Sequence, residues 1–162
     1  MAKSEASSTF KSACPADTAR LAAIFARRLT GGTAIFLEGP IGAGKTFFVR
    51  ELAAALGAKR LPVSASFNLM RSYSGRLKLY HFDLFRAGEA DMENIGLEEY
   101  LGREDGITAV EWPGEAGRLY SGMNPLRLEF GLAGGDRRVI RAAGCADSLK
   151  ILKSIEGEWL KN

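Results

Sequence analysis

Residues 39–46 read GPIGAGKT, and no other stretch restricts the possible folds so sharply. Gly39, Gly44, Lys45 and Thr46 fill the four fixed places of G-x-x-x-x-G-K-[ST]. Ahead of the loop, Thr33 to Leu37 (TAIFL) is a short unbroken run of strand formers, as expected of a strand buried on both faces of an α/β sheet. Behind it, Phe48, Val49, Leu52, Ala53 and Leu56 recur at helical spacing, and Gly57 supplies a stop. Strand, glycine loop and helix in immediate succession serve one chemistry. Glycines let the backbone curl so that successive N–H groups face a polyphosphate, and the helix adds its N-terminal dipole. Lys45 then supplies a mobile charge to the β and γ phosphates, and Thr46 a hydroxyl to Mg²⁺. Gly39, Pro40, Ile41, Gly42, Ala43, Gly44, Lys45, Thr46 and Phe47 are therefore the expected nucleotide contacts, with ATP and Mg²⁺ as cofactors. The flanking strand and helix weigh against the alternative of a glycine-rich surface turn.

The chain has 162 residues, 46% of them hydrophobic and 25% charged, which suits one compact domain with a substantial core. The Ser- and Ala-rich residues 1–12 are expected to be a flexible N-terminus, leaving the domain to residues 13–162. No stretch approaches the roughly 20 apolar residues that span a bilayer, and the N-terminus lacks the apolar segment of a signal peptide. A cytoplasmic protein is the expectation. Cys14, Cys145 and the single His81 have no spacing that suggests a disulfide framework or a zinc site. Between Glu89 and Asp105 seven acids face one base, Arg103, a local −6 that leaves +9 on the rest of a chain of net charge +3. This asymmetry admits two readings, a solvated acidic helix face or a basic face turned to an acidic partner such as RNA.

The remaining elements alternate. Pro15 stands where a first helical turn tolerates it, and Leu21, Ile24, Phe25 and Leu29 continue at helical spacing to Gly31-Gly32. Two β-like runs, FNLMRSY and RLKLYHFDL, flank Ser74-Gly75 and read as an antiparallel hairpin. Residues 88–102 are predicted helical. Ile107 to Trp112, ITAVEW, is a further buried strand stopped by Pro113-Gly114. Leu126 to Phe130 and Arg138 to Arg141 form a second predicted hairpin around Gly134-Gly135-Asp136, and Leu149, Leu152, Ile155 and Trp159 give a last amphipathic helix. The fold class is α/β: a single P-loop NTPase domain whose mixed, mostly parallel sheet is flanked by helices and carries antiparallel hairpins.

A P-loop turns over nothing without a carboxylate near the metal and a group to position water. Glu111 and Asp83 each end an apolar run, at the C-terminal edge where ligands collect in open α/β sheets. The alternative for either is an ordinary surface carboxylate at a strand end. Ser66, in SASFNL, has a hydroxyl suited to the γ-phosphate or Mg²⁺, although turns commonly use serine. His81 is read as a packed or hydrogen-bonded histidine, and Trp112 as core filling or as a ring stacked near the site. The Asn-Lys-x-Asp tetrapeptide that reads guanine is absent, which favours adenine.

Taken in order, GPIGAGKTFFVRELAAALG, SASFNLMRSY, LYHFDLFR and ITAVEWPGEA resemble the bacterial ATPase family of tRNA threonylcarbamoyladenosine synthesis, TsaE (YjeE). The resemblance runs from Gly39 to Ala116. It implies ATP hydrolysis in support of partners, the two related subunits that transfer a threonylcarbamoyl group to adenosine 37 of ANN-decoding tRNAs. By the same resemblance tRNA is met indirectly or weakly and no membrane is involved. Carried over by motif, Lys45 and Thr46 bind phosphate and Mg²⁺, Glu111 contacts the metal or its water, Asp83 joins them as a catalytic group, and Trp112 lies beside the site. Two departures stand out. Pro40 replaces the family's usual acidic residue, and Ser64-Ala65-Ser66-Phe67-Asn68-Leu69 replaces S-P-T-F/Y-T-L, so the loop around Ser66 loses its proline restraint.

Three classes of function remain distinct at this point: the partner-dependent ATPase, a small-metabolite kinase using Arg71, Arg76 or Arg86 over the transferred phosphoryl group, and a nucleotide-dependent binding switch without turnover.

Overall fold

The computed structural model describes residues 6–61, 69–88, 91 and 94–161. Seven strands form one sheet: β1 (Ala6–Ser12), β2 (Ala34–Glu38), β3 (Met70–Tyr73), β4 (Lys78–Asp83), β5 (Gly106–Glu111), β6 (Leu126–Leu132) and β7 (Arg138–Gly144), in the order β1-β7-β6-β2-β5-β4-β3. Among the described residues the helices with both ends defined are α1 (Pro15–Arg28), α2 (Lys45–Ala55), the short α3 (Gly114–Leu119) and α4 (Leu149–Trp159). The four central strands β6-β2-β5-β4 are mutually parallel, and both margins are antiparallel, β3 against β4 and β7 against β6 and β1. This is a mixed α/β domain, and both predicted hairpins are present.

The sheet carries a hydrophobic cluster on each face. The larger holds Ile35, Leu37, Phe48, Phe25 and Phe130, with α1, α2 and α4 supplying the cover. Phe48 meets Phe25 and Phe130 edge-on at ring separations of 5.4 and 5.7 Å and is fully buried. Truncating such a ring to alanine costs about 3–5 kcal/mol through lost transfer energy and the cavity left behind. The smaller cluster gathers Phe36, Val110, Phe82 and Tyr80 under Leu97, Leu101 and Ala116. Successive residues of β2 thus point to opposite apolar faces, which explains the unbroken TAIFL run. α4 closes the edge: Phe10 packs on Trp159 at 5.9 Å, and Glu158 pairs with Arg27 and Arg28 in the last turn of α1.

Two expectations are corrected. Most of the N-terminus expected to be flexible is strand β1, with Ala6, Ser8, Phe10 and Ser12 buried in alternation and Phe10 opposite Ile140 of β7. Small polar residues hid the period-2 pattern, and the partner strand that supplies the hydrogen-bond ladder lies more than a hundred residues away, beyond the reach of local sequence. The described residues of 88–102 do not form one helix: Asp91 and Asn94 are helical, whereas Gly88 and Ile95 to Gly102 are not α-helical. Among the described residues the segment holds a 3₁₀ turn at Leu97–Glu99, entered through Gly96 at φ +64°, a conformation that interrupts a right-handed helix. The last acid of the acidic run, just beyond this segment, is paired within the fold. Asp105 accepts hydrogen bonds from Arg103, Lys78 and Tyr80, which hold its carboxyl well below the usual range.

Candidate functional site

Parallel β2 and β5 end side by side, with Leu37 opposite Glu111, and β4 brings Asp83 opposite Glu111 from the other side. Everything chemical on this edge follows from that register. From the end of β2 the chain turns through the glycine loop into α2. Gly39 adopts φ +136° and lies so close to β6 that a Cβ would meet the Phe130 carbonyl oxygen at 2.3 Å, so only glycine fits. Gly42 and Gly44 also take positive φ, +78° and +100°. α2 has no side-chain cap at its N-terminus and no acid in its first turn. Its leading N–H groups and positive dipole end are left for an anion, the condition the sequence motif predicted.

Lys45 is only 4% exposed. Its Nζ donates to the Gly39 and Pro40 carbonyls at 2.6 and 2.9 Å and lies 3.8 Å from the Trp112 ring centre. Burial pushes its ammonium below the ordinary lysine range, opposed by the nearby charges of Glu111 and Asp83. Trp112 reaches this position through a left-handed backbone, φ +55°, strained for a bulky residue. Its N–H is tied to the Leu37 carbonyl and its ring tilts against Phe85 at 4.9 Å. The strain thus buys a cation–π contact at the loop lysine.

Glu111 is 1% exposed and both carboxylate oxygens are engaged: Oε2 accepts from Thr46 Oγ1 at 2.8 Å, and Oε1 lies 2.9 Å from His81 Nε2. Burial raises the Asp83 carboxyl above the usual range; the Phe85 N–H, 3.2 Å from its Oδ1, works in the opposite direction. Lys45, Thr46, Asp83, Glu111 and Trp112 line one open cavity of about 320 Å³, with Ile41, Gly42, Gly44, Phe47 and Phe85 completing it. Ser66 lies outside the described residues. Pro40 contributes its carbonyl to Lys45 and Ala43 is buried inside the loop.

Two functional contacts escaped the sequence reading. His81 was read as packed or hydrogen-bonded, and its partner proves to be Glu111; the signal was its i, i+2 relation to Asp83, which puts both on one face of β4. Arg138, read only as a strand residue, donates to the Ala43 and Gly42 carbonyls at 3.1 and 3.2 Å and fastens the β6–β7 hairpin to the glycine loop. Its distance in sequence gave no such signal.

The donor set fits a magnesium nucleotide. Thr46 and Glu111 present hard oxygens side by side next to a loop shaped for phosphates, and Mg²⁺ in such sites takes one or two protein oxygens plus phosphate and water.

Comparison with known proteins agrees with this geometry. The crystal structure of Bacillus subtilis YdiB superposes with a TM-score of 0.75 over 95% of this chain and 97% of its own, at 28% identity. The tRNA threonylcarbamoyladenosine biosynthesis protein TsaE of Synechocystis is 44% identical over 92 residues, 54% of this chain and 59% of its own length. Its counterpart from Treponema pallidum is 40% identical over 97 residues, 59% of this chain and 71% of its own. Residues 12–139 match the family described as threonylcarbamoyl adenosine biosynthesis protein TsaE, and the chain belongs to that family.

Proposed function

We propose that this protein binds ATP with Mg²⁺ in the cavity between the glycine loop and β5, and hydrolyses ATP in support of the subunits that transfer a threonylcarbamoyl group to adenosine 37 of ANN-decoding tRNAs. The observation that carries the reading is Glu111, a buried carboxylate joined at once to the P-loop threonine and to His81. A merely structural carboxylate has no reason to be desolvated beside an uncapped helix end and a buried lysine.

Each side chain has a task that follows from its position. Lys45 exchanges its two carbonyl contacts for the β and γ phosphate oxygens, a trade made easy because its ammonium is already stripped of water. Gly42 and Gly44 leave the loop N–H groups open to the same oxygens. Thr46 and Glu111 would hold Mg²⁺, which would supply charge neutralisation for the phosphates. His81 fixes the carboxylate plane of Glu111 so that Oε2 keeps facing Thr46. Asp83, facing Glu111 across the register, carries a carboxyl whose raised affinity for protons suits it to orient the attacking water and accept its proton. Trp112 screens Lys45 from solvent and backs the site. The three arginines of the kinase reading do not serve this cavity: Arg71 lines another one, Arg76 donates to the Ala26 carbonyl at 2.5 Å, and Arg86 is absent from the lining.

No described helix is long and apolar enough to cross a membrane, and the proposed setting is the cytoplasm, in a complex with the transferase subunits. Phosphate release from Mg·ATP, measured with the purified chain and with Lys45→Ala, alone and with those subunits, tests the reading. Stimulation by the subunits that vanishes with Lys45→Ala is expected. Steady turnover that needs only a small acceptor moves the function to a kinase, and nucleotide-dependent partner binding without phosphate release moves it to a switch.

A further inference from the structure

A second cavity, of about 930 Å³, opens at the far end of α2, between the helix exit and the β3–β4 hairpin, and is lined by Lys59, Arg60, Arg71, Ser72, Tyr73 and Ser74 among others. From Leu52 to Phe82 the chain contains no Asp or Glu, while Lys59, Arg60, Arg71, Arg76 and Lys78 fall within it. Two of these five are spent within the fold: Lys78 pairs with Asp105 at 3.0 Å and Arg76 donates to Ala26. Lys59, Arg60 and Arg71 have no acidic partner among the described residues, whereas Arg27, Arg28, Arg103 and Arg118 elsewhere on the surface each have one. The Tyr73 hydroxyl at this cavity is buried without a hydrogen-bond partner among the described residues, an uncommon state for a native polar group.

The cavity floor is a rigid joint. The Arg76 N–H donates to the Leu56 carbonyl at 2.7 Å, and Gly75 packs so closely that a Cβ would meet the same oxygen at 2.3 Å. The Ala58 N–H reaches back to Ala53 and Gly57 takes φ +85°, a Schellman ending that sends Lys59 and Arg60 out beside the hairpin.

We infer that this basic cavity binds the phosphate backbone of RNA, a proposal that rests on the tRNA-linked function above. Three features select this ligand. Unpaired guanidinium and ammonium groups interleaved with the exposed Ser72 and Ser74 hydroxyls are the side chains that contact nucleic-acid phosphates and sugars. Arginine's planar fork matches a phosphate on two oxygens. The site also sits at the negative end of the α2 dipole, which disfavours a single free phosphate seated on the helix and leaves extended contact through outlying cations as the favourable mode.

The test is fluorescence anisotropy of a labelled, folded tRNA transcript with the full chain, no nucleotide and no partner subunits, repeated across a salt series. The wild type should bind with affinity that falls steeply with salt. Combined Lys59→Ala, Arg60→Ala and Arg71→Ala should weaken binding roughly 10-fold or more and flatten the log–log salt slope by just under 3. Binding of Mg·ATP by the combined variant should be unchanged, which checks the fold. Single exposed-site variants Lys59→Gln and Arg60→Gln should each flatten the slope by just under 1, so the proposal remains testable if the combined variant does not fold. No tRNA binding by the wild type, or an unaltered slope in the variants, overturns it. So does loss of tRNA binding in Lys45→Ala rather than at these cations, because the polyanion then sits on the P-loop, as would displacement of tRNA by inorganic triphosphate there. Variants that keep tRNA but lose the transferase subunits reassign the cavity to a protein interface and likewise overturn it. The ATPase reading fails separately, in the phosphate-release assay, and its failure leaves these binding curves untouched.

Discussion

The two ends of α2 use the same kinds of side chain in opposite ways. At the N-terminal end Lys45 is buried, with its ammonium held by two carbonyls and an indole, and carboxylates stand within electrostatic reach. At the C-terminal end Lys59 and Arg60 are exposed and have no acidic partner among the described residues. A preorganised, desolvated charge is suited to discriminate between the states of a reacting phosphate. Exposed, mobile charges suit salt-sensitive capture of a long polyanion, where many weak contacts add. Changes at the first end should therefore alter turnover or nucleotide binding sharply, and changes at the second should alter RNA affinity gradually.

The largest effect is expected from Glu111→Ala. It removes an acceptor of Thr46 and His81 together and a group acting on charge that develops in transfer. Turnover in the presence of partner subunits should fall about 100-fold or more, while nucleotide affinity changes far less. Normal hydrolysis by this variant would remove Glu111 from the catalytic assignment and erase the contrast between the two ends.

Lys45→Ala comes next. Loss of a charge-assisted hydrogen bond of about 1.5–3 kcal/mol weakens triphosphate binding by roughly 10- to 100-fold, read by titration of a fluorescent ATP analogue. Binding of tRNA should be unaffected. Equal losses for both ligands would mean that the two ends are one continuous anion site.

His81 tests whether the carboxylate must be aimed. His81→Leu should lower turnover about 10-fold and raise the Mg²⁺ concentration needed for half-maximal activity, with metal-free nucleotide binding unchanged. His81→Gln, which restores a donor to Oε1, should recover most of the loss. If both variants merely lower the melting temperature and share one Mg²⁺ dependence with the wild type, His81 is a packing residue.

How legible this was varied with the range of the interaction. The glycine loop, β2 and α2 were readable because strand period, loop composition and helix period lie within twenty-five residues and each carries its own signal. Asp83 and Glu111 were readable as strand ends, and the register confirms that they meet. The Glu111–His81 and Arg138–Ala43 contacts were not readable, because both depend on which strands become neighbours. β1 was missed for the same reason: its ladder is supplied by β7. Trp112 was ambiguous between core and site; it lies in a left-handed backbone with its ring beside Lys45 at the cavity, contacts that no local pattern announces.

Asp83→Asn should change stability least and with the opposite sign, although it removes the proposed acceptor of the water's proton. Burial raises the folded-state carboxyl above its ordinary value, helped by the Glu111 charge and opposed by the Phe85 N–H, His81 and Lys45. A group that binds its proton more tightly when folded favours the folded state below its unfolded value near 3.9, and that advantage is lost as pH rises through the folded value. At neutral pH the carboxylate is therefore a burden on the nucleotide-free protein. Asp83→Asn keeps the Oδ1 acceptor for Phe85 and removes the titration, so its melting temperature should exceed the wild type's slightly at pH 7, with the gain disappearing toward pH 4, while turnover falls. A gain that is constant with pH would show that packing rather than charge is responsible, and a loss of stability at pH 7 would show that Lys45 and His81 more than compensate for the buried charge.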